Sequence, residues 1–170
     1  GAEFKRHKIG NLGDIAIYSS EQSKIFTTIQ GGMATTNNDS FAKRLKEFYE
    51  QAPYPDVSLI DAQLQNVIIN YYLYKDSHRW WRGDLIRLIY NDKIIISTTR
   101  EEEQGIKPAH YGCKMPSPIA AIGLNQLKKI DSYNQRRRET AKIWDSWCDK
   151  NGYKKPLITY NSIPVYLRYP

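Results

Sequence analysis

Cysteine, histidine and long apolar runs are all scarce in this chain, and each scarcity excludes something. Only Cys113 and Cys148 occur, 35 residues apart, which gives neither a disulfide framework nor a metal-binding spacing. His7, His78 and His110 are equally scattered, so a zinc site has no basis in the sequence. No apolar run approaches the roughly 18 residues of a membrane helix, and no charged-then-apolar leader opens the chain. No repeat with a period of about 20–50 residues is visible, which excludes a repeat architecture. These absences point to a protein of the reducing cytoplasm, with no membrane insertion and no metal.

What is present is enough for one ordinary domain. The chain has 170 residues, of which 41% are hydrophobic and 12% aromatic, so a packed core is expected rather than disorder. Lys and Arg outnumber Asp and Glu 25 to 18, a net charge of +7 and a pI near 9.3. A basic surface favours anionic partners, whether nucleic acid, anionic lipid or phosphorylated small molecules. The plainer reading of that charge is a lysine-rich soluble surface.

Periodicity divides the chain into alternating strands and helices, an α/β or α+β pattern. Residues 13–20 read as a buried strand and 33–36 as a second, with Gly31 and Gly32 turning the chain before the second. A helix is expected from a cap at Asp39 or Ser40 to about Gln51, ended by Pro53 and Pro55. Further helical spacing covers residues 58–75 and 79–90, with a short strand at 94–97. The longest element begins at Ser117 as N-cap with Pro118 behind it. It runs towards Lys150, stops at Asn151 and Gly152, and has a break expected near Asp131 and Ser132. Residues 157–160 and 164–167 read as strands. Three segments follow: 1–52, 53–116 and 117–170.

One window carries chemistry. An apolar run ends at Ser19 and Ser20, a single lysine follows at Lys24, and Thr27, Thr28, Gly31 and Gly32 come after it. No other lysine lies between Lys8 and Lys43. A lysine amine attacks a carbonyl only when neutral, and burial or nearby positive charge favours that form. Ser19, Ser20 and the backbone N–H groups of the following loop are candidate phosphate ligands.

This window resembles the cofactor-lysine segment of the DegT/StrS family of pyridoxal-phosphate sugar aminotransferases. The Gly13–Asp14 pair, Ser19 five residues before Lys24, the two threonines and the Gly31–Gly32 pair fall in that family's register. A second stretch is similar to the family too: residues 110–115, then 120–127, Arg136 to Arg138 and Ala141. The closing residues 164–170 resemble the strand that opens the family's small C-terminal domain. The resemblance is weakest between about residues 56 and 107.

The resemblance implies a fold-type-I pyridoxal-phosphate transferase: part of a large α/β domain that holds the cofactor lysine (1–52), an insertion-like helical segment (53–116), and a long helix leading into the small domain (117–170). It implies pyridoxal 5′-phosphate as cofactor, bonded by Lys24, with Ser19 on its phosphate. Tyr111, Gly112 and Lys114 would belong to a segment that crosses a homodimer interface. Gly112 and Lys114 stand where the family carries Asn and Arg. Glycine offers only backbone, and lysine lacks the bidentate fork. The implied reaction is transfer of an amino group, with glutamate as donor, to a nucleotide-linked keto sugar in surface polysaccharide or antibiotic sugar biosynthesis. Related sugar dehydratases replace the lysine by histidine, so Lys24 favours amine transfer. The family's acidic partner of the cofactor ring would precede residue 1. The sequence therefore reads as an internal fragment, cut at both ends and expected to be inactive alone.

Other readings compete. Arg79, Trp80, Trp81 and Arg82 interleave cations with aromatics, which suits a nucleic-acid module, although no RNA- or DNA-binding signature accompanies them. A basic aromatic helix could also lie on an anionic membrane. The departures at Gly112 and Lys114 fit a catalytically impaired member acting as a subunit or regulator. Arg136, Arg137 and Arg138 read as a solvated helix face.

Overall fold

The structure, a computed structural model, describes residues 1–75 and 100–170. The helix expected over 79–90, the strand at 94–97 and the Arg79 to Arg82 cluster lie outside the described residues. The rest is a mixed α and β arrangement in which every described strand pairing is antiparallel.

Strands β1 (Glu3–Phe4) and β2 (His7–Lys8) form a hairpin closed by Lys5 and Arg6, at φ 48° and 67°. Two left-handed residues match the twist of the flanking strands, which explains the tight turn. Across it Lys8 Nζ donates to the Glu3 carboxylate at 2.5 Å and holds that carboxyl below the usual carboxylate range. β3 (Ala16–Ser19) and β4 (Gly32–Thr35) form a second ribbon, with Ser19 opposite Gly32. The strand expected over 13–20 is therefore present but not buried. Ile17 is 84% exposed and lies along the wall of an open cavity.

Helix α1 (Asp39–Gln51) is capped one residue earlier than expected. Asn38 is extended, and its Oδ1 accepts from the N–H of Ser40 at 2.9 Å and of Phe41 at 3.2 Å, which satisfies two of the orphan donors of the first turn. Helix α2 (Val57–Lys75) follows, then a single turn, α3 (Arg100–Glu103). The long element divides into α4 (Ser117–Leu127) and α5 (Ile130–Asn151), broken at Lys128 and Lys129 rather than at Asp131. Ser117 is already helical and supplies no cap, with Pro116 flanking the first turn. Gly152, at φ 73°, ends α5, and the Tyr153 N–H returns to Cys148 O at 2.9 Å, the left-handed stop that glycine favours.

Residues 157–160 and 164–167 are not strands. The pairing that does form is β5 (Ser162–Ile163), which adds to the free edge of β1. Side chains take the carbonyls a strand partner would need. Arg137 Nη1 bonds Tyr166 O and Leu167 O, both at 3.0 Å, and Arg138 bonds Pro164 O at 3.4 Å and Gly1 O at 2.9 Å. Two of the three arginines expected to be solvated thus tie the last segment and the first residue to α5.

The core is small and partly polar. Ile29, Ile69 and Ile119 are buried where the β3–β4 loop meets α2 and α4, and Ala141 and Cys148 are buried on the inner face of α5. Gly123 admits the loop to α4, since a Cβ there would lie 3.1 Å from Thr28 Cγ2. Beside α5, Trp144 stacks on Tyr169 and Trp147 on Tyr153. Burial, then a 2.7 Å hydrogen bond to Asp145, pushes the Tyr169 hydroxyl well above the usual phenol range.

Gly31 sits at φ 141°, and a Cβ there would lie 3.0 Å from Thr28 Oγ1 and 3.1 Å from Ser20 Oγ. Gly31→Ala is therefore expected to lower unfolding free energy by about 1–3 kcal/mol, read from the midpoint of urea unfolding.

Candidate functional site

The site is built on the loop between β3 and β4, residues 20–31. Ser20 and Thr28 are fully buried, and their hydroxyl oxygens lie 2.6 Å apart. Thr28 donates its proton to Gln30 O at 3.0 Å, which leaves Ser20 as donor to Thr28. Backbone bonds close the same neck: Thr28 N–H to Ser20 O at 2.8 Å and Ser20 N–H to Gly31 O at 3.0 Å. Ile29 is buried at φ 69°, a conformation that a β-branched residue holds only where its surroundings impose it. From α4, Gln126 Oε1 accepts from the Thr27 N–H at 3.1 Å and Gln126 Nε2 donates to Thr27 O. One amide thus clamps both backbone groups of one loop residue.

Lys24 stands at the exposed tip of this loop, with its N–H bonded to Glu21 O at 3.0 Å. Among the described residues its amine has no hydrogen-bond or ion-pair partner. Ser19 ends β3 with an exposed side chain, and its Oγ accepts from the Glu21 N–H at 3.3 Å. The second candidate serine is excluded, because the Ser20 hydroxyl is consumed in the buried bond to Thr28. The loop N–H groups are also less available than its composition suggests. Those of Ser20, Glu21, Ser23 and Lys24 are bonded internally, and the Glu21 carboxylate also holds the Ser23 hydroxyl at 2.5 Å.

A cavity of about 680 Å³ opens beside the loop, lined among others by Ser19, Gln63, Tyr111, Cys113 and Lys114. It brings Ser19 together with two of the three residues of the second candidate segment. Lys24 and Gly112 are not part of its lining. Lys114 is tied down: its N–H reaches Pro53 O at 2.8 Å, its amine reaches Glu50 O at 2.9 Å, and it lies 5.0 Å from the Tyr54 ring centre. Its charge thereby faces the carbonyl end of α1, where a cation is favoured. A shallower groove of about 290 Å³ lies among Ile25, Tyr133, Arg136, Arg137 and Thr140, next to Lys24 in sequence.

Sequence reasoning named Thr28 but not its buried pairing with Ser20, and it missed the roles of Gln63 and Gln126. An amide on a helix reads as surface, and only the return of α2 and α4 against the loop buries or engages these groups. Gln63 Oε1 is buried without a hydrogen-bond partner among the described residues, at a cost of about 1–3 kcal/mol for an unpaired acceptor. Among the described residues no group of three or more His, Cys, Asp and Glu side chains is placed to hold a metal. No helix among them is long and apolar enough to cross a membrane. What the loop does offer is a free primary amine and an exposed hydroxyl five residues apart. That donor set fits a group carrying both an aldehyde and a phosphate.

Residues 1–57, which contain the whole loop, match the DegT/DnrJ/EryC1/StrS aminotransferase family. Relatives of the chain include proteins named as a transaminase and an aminotransferase. The chain is 41% identical over 171 residues to the GDP-perosamine synthase of Caulobacter vibrioides, covering 99% of this chain and 34% of that protein. It is 26% identical over 153 residues to the UDP-4-amino-4,6-dideoxy-N-acetyl-beta-L-altrosamine transaminase of Campylobacter jejuni, covering 90% and 29%. It is also 32% identical over 68 residues to the L-glutamine:2-deoxy-scyllo-inosose aminotransferase of Streptoalloteichus tenebrarius, covering 39% and 16%. The chain spans about a third of the length of the first two relatives.

Gln126→Leu removes both clamp bonds while keeping the side chain's bulk. It is expected to lower stability by about 1–3 kcal/mol and to speed hydrogen exchange across residues 20–31, read by mass spectrometry. Exchange unchanged in that loop would show that the clamp does not hold it.

Proposed function

We infer that this chain is part of a pyridoxal 5′-phosphate aminotransferase that delivers an amino group to a keto sugar carried on a nucleotide, in the making of surface polysaccharide or antibiotic sugars. The observation that carries this reading is the pinned loop. Within the stretch that matches the family, it presents the partner-free amine of Lys24 and the exposed hydroxyl of Ser19. Pyridoxal phosphate, when bound, supplies an aldehyde that an amine can bond and a ring that draws electrons from the substrate carbon.

Lys24 Nζ would hold that group and, when free and neutral, carry a proton to and from the substrate carbon that bears the amino group. Ser19 Oγ would donate to a phosphate oxygen, a charge-assisted bond. The bonds from Ser20, Thr28 and Gln126 fix the loop and so limit the positions open to Lys24. The names of the relatives support a UDP- or GDP-linked sugar, and a net charge of +7 suits such an anion. Glutamate is the donor we assign. One relative is named for L-glutamine instead, so the two are the donors to compare.

A second copy of the chain is the partner we assign, with Tyr111, Gly112 and Lys114 reaching across. The exposure of Tyr111 and the open space beside Gly112 support it. Two free thiols, Cys113 and Cys148, support a cytoplasmic location. A second reading, a subunit without chemistry of its own, draws on Lys114 being tied to α1 and on Lys24 lying outside the cavity lining.

Borohydride reduction after incubation with pyridoxal phosphate decides between them. A reduced adduct is expected on the peptide that contains Lys24, found by mass spectrometry and absent from Lys24→Ala. An adduct that persists in Lys24→Ala would sink the assignment. Ser19→Ala is expected to weaken cofactor binding by roughly ten- to a hundred-fold, read from a titration of the trapped fraction.

A further inference from the structure

The shallower groove next to Lys24 is walled by one face of α5. Tyr133, Arg136, Arg137 and Thr140 stand at i, i+3, i+4 and i+7 of that helix, the spacing that lines up side chains on one side. Ile25, the residue after Lys24, completes the lining. Arg137 is fixed before any ligand arrives. Its Nη1 donates to Tyr166 O and Leu167 O, both at 3.0 Å, which leaves Nε and Nη2 without a partner among the described residues. Neutral carbonyls hold the guanidinium in place without cancelling its charge. Arg136 and the hydroxyls of Tyr133 and Thr140 have no hydrogen-bond or ion-pair partner among the described residues. No carboxylate lines the groove. Glu139, the nearest acid in sequence, accepts instead from Gln135 Nε2 at 2.8 Å. The larger cavity differs, since Glu21 and Glu102 stand in its wall.

We propose that this groove is an anion site that binds a phosphoryl group through Arg136, Arg137 and the two hydroxyls. The free edge of a guanidinium matches two oxygens of one phosphoryl group, and the second arginine adds charge. The hydroxyls rotate to donate to the oxygens left over. At about 290 Å³ the groove lies at the small end of ligand pockets, which run to roughly 300–1,000 Å³. It therefore suits the anion itself rather than an entire nucleotide. Ile25 links the site to the loop, so that a bound anion touches the neighbour of the residue that carries the free amine. The proposed function enters in one respect only, the source of the group. A nucleotide-linked sugar carries a diphosphate, and inorganic pyrophosphate carries the same chemistry without the nucleotide.

The test is calorimetric titration of inorganic pyrophosphate, UDP and uridine into the wild-type chain, Arg136→Gln, Tyr133→Phe and Lys107→Gln. An ionic strength of about 0.15 M screens long-range charge effects. Lys107 is exposed and outside the groove, so Lys107→Gln removes the same charge without touching the site. Wild type is expected to bind pyrophosphate or UDP, and Arg136→Gln to bind that probe about ten-fold more weakly. Lys107→Gln is expected to match wild type. Tyr133→Phe keeps the ring and every charge, and is expected to weaken the same probe a few-fold; it carries the test if Arg136→Gln does not fold. UDP binding more tightly than pyrophosphate assigns the group to a nucleotide, and equal or weaker binding assigns it to the free anion. No binding of either probe, binding unchanged in both groove variants, equal weakening in Arg136→Gln and Lys107→Gln, or uridine binding as tightly as UDP would overturn the proposal. Borohydride trapping at Lys24 is scored apart. Its failure in wild type sinks the aminotransferase reading and leaves the groove untouched. Normal trapping without phosphoryl binding sinks this proposal alone.

Discussion

The hydrogen bond between Ser20 and Thr28 decides where the other candidate groups stand. Two hydroxyls 2.6 Å apart, both sealed from water, join the start of the loop to its return strand. Ser20 donates to Thr28 and Thr28 to Gln30 O, so the buried polar pair costs little while intact. The neck they form lets Ile29 hold a left-handed conformation, brings Gly31 against Met115, and leaves Thr27 facing Gln126. The seven residues between then project as a closed lobe with Lys24 at its tip and Ser19 at its base. Removing the bond would free two buried hydroxyls at once and release both ends of the lobe.

Much of this was legible from the amino acids, and the parts that were not share a cause. Helices α1 and α2, the glycine stop of α5 and the Gly31–Gly32 turn follow from local chemistry: apolar spacing, Asn38 or its neighbours as cap, and residues that tolerate positive φ. The lysine window was legible as a motif. What local chemistry could not supply was the fate of groups paired over long distances. Arg137 and Arg138 read as solvent-facing until the last segment laid its carbonyls on them, and that same contact kept 164–167 from pairing as a strand. Ser20 read as a phosphate ligand because its partner Thr28 was indistinguishable from a surface threonine. Gln63 and Gln126 carry no local mark at all.

The balance of surface to core is unusual in a way that bears on partners. Among the described residues the buried apolar side chains are few, and the fully buried set includes Ser20, Thr28 and Asn66. Ile17, Leu157 and Tyr160 stand open to solvent. Such a chain gains less from apolar burial than its composition permits. Its hydrogen bonds consequently carry more of the specificity of the fold, and its exposed apolar surface remains available to another polypeptide.

The sheet of β2, β1 and β5 places Glu3 opposite Ile163. Joining positions so distant in sequence closes nearly the whole chain into a ring, an entropic cost on the order of 4–5 kcal/mol. Two-residue strands offer little to offset it, so the balance falls to Arg138, which holds Gly1 O and Pro164 O from one helix. The smallest sheet of the fold thus borrows its closure from a helix, since Arg138 of α5 holds the chain on both sides of it.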